Sequence, residues 1–114
     1  MKSQRHGQIV VTSSVAGIRA VANGAIYCGT KWAVEGMVRS LREELKGTGV
    51  KAATINPGPV ATKWWDEEVR GGKRPGGARP ENMLSAEDCA RGAATIIDQA
   101  QTSDIASVVL DASS

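Results

Sequence analysis

Three short β-branched runs are spaced along the chain, each pair separated by a segment long enough to hold a helix. Ile9-Val10-Val11, continued by Thr12 and ended by Ser13-Ser14, is the first. Val50 to Ile55, closed by Asn56-Pro57-Gly58-Pro59, is the second, and Ile105 to Leu110 the third. The first run reads as a strand buried on both faces, the kind found in parallel sheets. An order β-α-β-α-β with helical crossovers implies a parallel sheet covered on both faces, an α/β fold. Ligands in such sheets bind beyond the carboxyl ends of the strands. Ser13-Ser14 and Pro57-Gly58-Pro59 both fall at those ends, and a right-handed crossover brings the start of the intervening helix to the same rim.

The small residues from Val15 to Gly24 read as a loop, with a helix beginning near Asn23 or Gly24. Val34, Met37, Val38, Leu41 and Leu45 form its apolar stripe. Glu35, Arg39 and Glu43 are assigned to the opposite side, where charges pair at i, i+4. Gly47 and Gly49 stop the helix. Thr62 to Val69 is expected to form a short helix, followed by a flexible basic loop from Gly71 to Pro80. Ser85 caps a second long helix with Glu87 and Asp88 in its first turn. That helix is expected to run to about Gln101 and to carry Cys89, Ala93, Ile96 and Ile97 inward.

With 114 residues, 41% of them apolar and 23% charged, the chain makes one domain at most and can build a core. A formal charge of +2, spread along the chain, gives no electrostatic case for nucleic acid or an anionic membrane. Cys28 and Cys89 have neither metal-ligand spacing nor a disulfide pattern, so no metal is expected and a reducing, cytoplasmic compartment is. Met1 to Gln8 has no apolar run behind it, which argues against a signal peptide, and no apolar run is long enough to span a bilayer.

The chemistry is concentrated at the head of the first helix. Tyr27, the one tyrosine in the chain, precedes Lys31 by four residues. Residues four apart differ by roughly 40° around a helix, so Tyr27, Lys31, Val34 and Val38 follow one stripe that turns from apolar to proton-active at its first turn. A nearby ammonium favours a phenolate by charge attraction, which suits a phenol to general acid-base work. Ser14 is placed to hydrogen-bond a substrate oxygen against that phenol. Taken alone, Tyr-x-x-x-Lys reads as a half-buried aromatic beside a snorkelling lysine. The strand ending in Ser-Ser, thirteen residues before Tyr27, and the Asn-Pro-Gly after the next strand change that balance.

In these stretches the chain resembles the short-chain dehydrogenase/reductase family. The matching segments are Gly7 to Gly17, Tyr27 to Leu45, Ile55 to Thr62 and Leu84 to Ala90. The resemblance implies the C-terminal part of a doubly wound, Rossmann-like parallel sheet, strands 5 to 7 with their crossover helices. It implies an NAD(P)-dependent oxidoreductase that interconverts a carbonyl and a secondary alcohol or hydroxy acid. Tyr27 would be the general acid/base, Lys31 would tune it and hydrogen-bond the nicotinamide ribose, and Ser14, rather than Ser13, would polarise the substrate oxygen. Pro57 and Gly58 would shape the loop beside the nicotinamide, Val60 would meet its carboxamide through backbone atoms, and Thr62 would contact the amide or phosphate region, with an ordinary helix cap as its alternative. The ending Ile105 to Ser114 resembles cytosolic NADP-dependent reductases, which tilts the cofactor expectation from NAD toward NADP. Residues 63–84 would form a substrate lid with Trp64 and Trp65 as apolar walls, or else a solvated connection.

Part of the family pattern is missing. No Gly-rich strand-turn-helix occurs in these residues, and Gly71-Gly72 and Gly76-Gly77 do not replace it. The resemblance therefore reads the chain as a partial domain over 1–114 that starts inside the helix before the fifth strand and has a natural end. Such a piece would bind the cofactor weakly and leave Ile9 to Thr12 as an unpaired edge. A non-catalytic assembly module is the alternative function, with homo-oligomers formed through helix 25–46. A sugar-nucleotide epimerase, which shares Tyr-x-x-x-Lys, fits the short gap to Asn-Pro-Gly less well.

Overall fold

The computed structural model describes residues 1–66 and 79–113. Strand β1 (Gly7–Thr12) pairs in parallel with β2 (Val50–Pro57), with Gly7 opposite Val50 and Thr12 opposite Ile55. Strand β3 (Ser107–Leu110) pairs in parallel along the other side of β2, from Thr54 opposite Ser107 to Pro57 opposite Leu110. Among the described residues the three-stranded order is β1-β2-β3. Helix α1 (Ala25–Leu45) connects β1 to β2 and helix α2 (Ala86–Ile97) connects β2 to β3.

The two helices cover opposite faces. Val38 and Leu45 of α1 pack on Val50 and Ala52, joined by Ile9, Val11, Val34 and Leu41. On the other face Ile96 of α2 packs on Ala53 and Ile55, joined by Val10, Cys89, Ala93, Ile105, Val108 and Leu110. The strand period of two explains the division: alternate residues of β1 and β2 feed alternate cores. Gly92 permits the close approach of α2, since a Cβ there would lie 2.8 Å from Leu110 Cδ1 and 2.9 Å from Ile55 Cδ1.

Several sequence expectations need correction. Met37 is 63% exposed, not part of the inward stripe, and Glu35 is buried at 5% exposure, not on the solvent side. The inward face of α1 runs through Cys28, Glu35, Val38 and Leu45, because Glu35 meets the Asn56 amide as a donor beneath the helix, which offsets its desolvation. Ile97 is also exposed, and α2 ends there instead of near Gln101. The apolar runs of β1 are half-buried, as fits an edge strand, and Val15–Gly17 forms a 3-10 turn within the expected loop. Of the expected helix from Thr62 to Val69, a 3-10 turn at Lys63–Trp65 is present, and the rest lies outside the described residues. So do most of the basic loop and of the expected lid.

Lysine and aspartate side chains secure the second crossover. Lys51 Nζ donates to the carbonyls of Ala100, Gln101 and Ser103 at 3.1, 3.0 and 2.5 Å, satisfying chain oxygens just beyond α2. Lys51→Met keeps the stem and removes those donors, so a loss of about 1–2 kcal/mol is expected in urea unfolding. At the other end Ser85 and Asp88 form a reciprocal cap. The Ser85 backbone N–H, then its hydroxyl, then Arg91 hold the Asp88 carboxyl below its ordinary range. That stabilisation is complete above the ordinary carboxylate range near pH 4 and is lost as pH falls through the lowered native value. An acid-unfolding titration of Asp88→Asn is therefore expected to show a shallower acid limb than that of the parent chain.

Candidate functional site

The carboxyl end of β1 runs directly into the serine pair. Ser14 caps the Val15–Gly17 turn, its Oγ accepting from the Ala16 N–H at 3.1 Å, while its own O–H is left to donate. Its carbonyl accepts from the Gly17 N–H at 2.9 Å and from Asn56 Nδ2 at 3.1 Å. Ser13 is enclosed instead: its Oγ is buried with no hydrogen-bond partner among the described residues. A Cβ on Gly17 would lie 2.9 Å from Ser13 Oγ, 3.0 Å from the Lys31 carbonyl and 3.1 Å from Glu35 Cγ. The serine turn and α1 therefore touch through a glycine that admits no side chain without movement.

Tyr27 and Lys31 lie on the first two turns of α1. Tyr27 is 46% exposed and Lys31 half-buried, with Nζ 5.8 Å from the Tyr27 ring centroid. The same ring is 6.4 Å from that of Trp64, at a 40° tilt. Trp64 meets Trp65 edge-on at 4.9 Å, and the Trp65 indole N–H donates to the Val60 carbonyl at 2.7 Å. Thus the first turn of α1 and the segment after β2 close on one another through aromatic side chains.

Pro57 ends β2 buried, and Gly58 turns the chain, its N–H donating to the Leu110 carbonyl at 2.7 Å. A Cβ on Gly58 would meet Asp111 Oδ1 at 2.4 Å, and Asp111 is in turn paired with Arg19 at 2.8 Å. Val60 bridges to Leu84, which ties this rim to the start of α2. Thr62 caps the Lys63–Trp65 turn, accepting from the Trp64 N–H at 3.4 Å, the local role that was its alternative.

Ser14, Tyr27, Lys31, Pro57, Gly58, Val60 and Thr62 therefore gather at the carboxyl edge of the sheet, linked by the contacts above. None of them lines the open hollow of about 500 Å³ between α2 and the end of β3. That hollow includes Asp88, Arg91, Leu110 and Asp111, and lacks any residue expected to carry chemistry. Cys89 is half-buried beside it; desolvation, and then the Asp88 charge, raise its thiol above the usual range and suppress the reactive thiolate. No cluster of metal-ligating side chains occurs among the described residues. Nor is any described helix long and apolar enough to cross a membrane.

Beneath the rim lies a polar cluster that the sequence reading missed. Asn56, fully buried, donates to the Glu35 carboxylate and to the Ser14 carbonyl, and accepts from Thr54 Oγ1 at 2.9 Å and Ser107 Oγ at 2.7 Å. Thr54 Oγ1 also lies 3.5 Å from Glu35 Oε2. Position alone gave a signal: Glu35 is four residues after Lys31 and three before Val38, squarely on the inward stripe. Its charge argued it outward.

Residues 1–71 match the family profile described as short chain dehydrogenase. An uncharacterized oxidoreductase of Listeria innocua is 44% identical over 63 residues, 54% of this chain and 25% of that protein. An oxidoreductase of Burkholderia thailandensis, of the short chain dehydrogenase/reductase family, superposes with a TM-score of 0.79 at 27% identity, over 97% of this chain and 46% of that one. A metagenomic short-chain oxidoreductase solved in complex with NADP superposes with a TM-score of 0.62 at 26% identity, over 96% of this chain and 40% of that one. The chain thus spans under half the length of the solved relatives, and its match covers a quarter of the curated one. The profile match over most of the chain and the parallel sheet with its carboxyl-edge site agree: the chain belongs to the short-chain dehydrogenase family.

Proposed function

We propose that the chain carries the proton-transfer side of an NAD(P)-dependent oxidoreductase that interconverts a carbonyl and a secondary alcohol or hydroxy acid. The observation that carries this reading is the accessible Tyr27–Lys31 pair, with Lys31 Nζ 5.8 Å from the Tyr27 ring centroid, on a helix that the Ser14 turn meets at Gly17. Tyr27 Oη gives its proton to the carbonyl oxygen on reduction and takes it back on oxidation. Lys31, one turn on, brings its ammonium to 5.8 Å from the Tyr27 ring centroid. Ser14 Oγ accepts from Ala16 and donates its own proton to the substrate oxygen, orienting it.

The donor set suits the nicotinamide end of a cofactor. Lys31 Nζ and Tyr27 Oη match a ribose diol, and the Val60 N–H, whose carbonyl partner is already engaged by Trp65, is the backbone group open to a carboxamide. Pro57 and Gly58 hold that segment, and Thr62 contributes a hydroxyl beyond it. When bound, the nicotinamide supplies or accepts the hydride. NADP is favoured over NAD by the resemblance of the ending and by the NADP in one structural relative. Trp64 serves as an apolar wall beside Tyr27.

A truncated hydride donor, reduced nicotinamide mononucleotide, tests this without needing an adenosine seat. With a simple ketone as acceptor, Tyr27→Phe is expected to lower the rate roughly 100-fold or more, at an unchanged melting temperature. Equal rates for the two chains would remove Tyr27 from the acid-base role.

A second reading, an assembly module acting through α1, is favoured by its outer side. Ile26, Trp32 and Met37 are exposed there, and a Cβ on Gly29 or Gly36 would meet nothing within 4 Å. No turnover by the parent chain, together with a dimer mass in sedimentation that Met37→Glu abolishes, would favour this second reading.

A further inference from the structure

Glu35 is buried at 5% exposure, and all ion pairs among the described residues lie elsewhere. A carboxyl group so placed is costly unless its oxygens are hydrogen-bonded. Asn56 Nδ2 donates to Oε1, and Thr54 Oγ1 lies 3.5 Å from Oε2. The second Nδ2 hydrogen goes to the Ser14 carbonyl at 3.1 Å, and the Asn56 oxygen accepts from Thr54 and Ser107. All four hydrogen-bonding positions of the Asn56 amide are therefore used. A flipped amide would set its oxygen against the carbonyl and the carboxylate at once, so only one orientation is tolerated.

The consequence is geometric. Glu35 lies one turn past Lys31 and two turns past Tyr27 on the same helix. Ser14 lies on a different element, at the end of β1. Asn56 bridges the two from the penultimate position of β2. The buried Val15–Gly17 turn also packs directly on α1, with the contact at Gly17, but Asn56 is the polar bridge between them.

We propose that Glu35 and Asn56 are positioning residues, a buried clamp that sets the Ser14 turn against the Tyr27–Lys31 turn of α1. The proposal rests on the proton-transfer reading for its functional meaning, but its geometry is tested separately. The clamp gives the serine turn a tie that apolar packing cannot supply: a directional one that fixes the height of the Ser14 carbonyl. Thr54 and Ser107 complete it from β2 and β3, so all three strands contribute to the register of the site.

Amide hydrogen exchange on the full chain reads this without any turnover. Glu35→Ala is expected to speed exchange at Ala16 and Gly17, whose N–H groups are held by Ser14, at least tenfold more than at Ala53 in the middle of β2. The ring signals of Tyr27, the one tyrosine, are expected to shift in the same variant. Glu35→Gln keeps an oxygen facing Asn56 and is expected to restore both readouts to within about threefold of the parent. A merely structural role would speed exchange at Ala53 and Gly17 by the same factor. That equal response, a motionless Tyr27 signal, or a Glu35→Gln variant as loose as Glu35→Ala would each overturn the clamp. Failure of Tyr27→Phe to slow reduction would instead overturn the proton-transfer reading and leave the clamp standing.

Discussion

Gly49→Ala is expected to destabilise the chain by about 2–5 kcal/mol in urea unfolding. Two costs combine. Gly49 has φ +80°, in the left-handed region, where an L side chain costs about 1–2 kcal/mol. A Cβ there would also stand 1.9 Å from the Arg5 carbonyl oxygen and 2.7 Å from its carbon, both backbone atoms. Relief requires the segment before β1 to move away from the start of β2, where Gly7 and Val50 are opposed. Overpacking of this kind adds about 1–3 kcal/mol. Gly47→Ala supplies the internal control. Its φ is +76°, but nothing lies within 4 Å of its Cβ, so only the conformational cost of about 1–2 kcal/mol is expected. Equal losses at the two positions would show that backbone conformation alone, without the clash, governs this turn. The comparison matters to the site because β1 delivers Ser14 to the rim.

Asn56→Leu is expected to cost about 3–5 kcal/mol, since it leaves the Glu35 carboxylate buried without its principal donor. Glu35→Leu is expected to cost less, about 1–3 kcal/mol, because it strands one amide hydrogen and not a carboxylate. The double variant Glu35→Leu/Asn56→Leu removes both partners at once. Its loss is expected to fall short of the sum of the single losses by about 1–3 kcal/mol, the coupling of groups in one network. Additive losses in the unfolding cycle would mean that the two side chains contribute independently. They would then carry no mutual tie between α1 and β2.

Much of the architecture was legible because burial has a period. The three β-branched runs, the crossover lengths and the stripe at Val34, Val38, Leu41 and Leu45 all survive in the structure. Ser85 with Asp88 was legible as a cap because local hydrogen bonding is encoded within one turn of sequence. Glu35 and Met37 were misassigned for the opposite reason. Side-chain polarity was set against helical position, and only partners distant in sequence could decide between them. Asn56 lies 21 residues after Glu35, and Ser107 another 51 beyond that. Ile97 failed similarly: α2 stops where Asp98 turns the chain, and the last apolar side chain faces out.

The family resemblance alone implied Val60 and Thr62; by itself the sequence determined the α/β order, the parallel sense of the strands and the rim expected to hold Ser14, Tyr27, Lys31, Pro57 and Gly58. Those follow from periodicities and chain lengths that act along the backbone. Only the tertiary structure decided what lies beneath that rim. There a carboxylate is held by an asparagine that also holds the serine turn, and Trp64 stands beside Tyr27. A buried polar group is stable only where its partners meet it in space, and that meeting depends on three strands and a helix packing together.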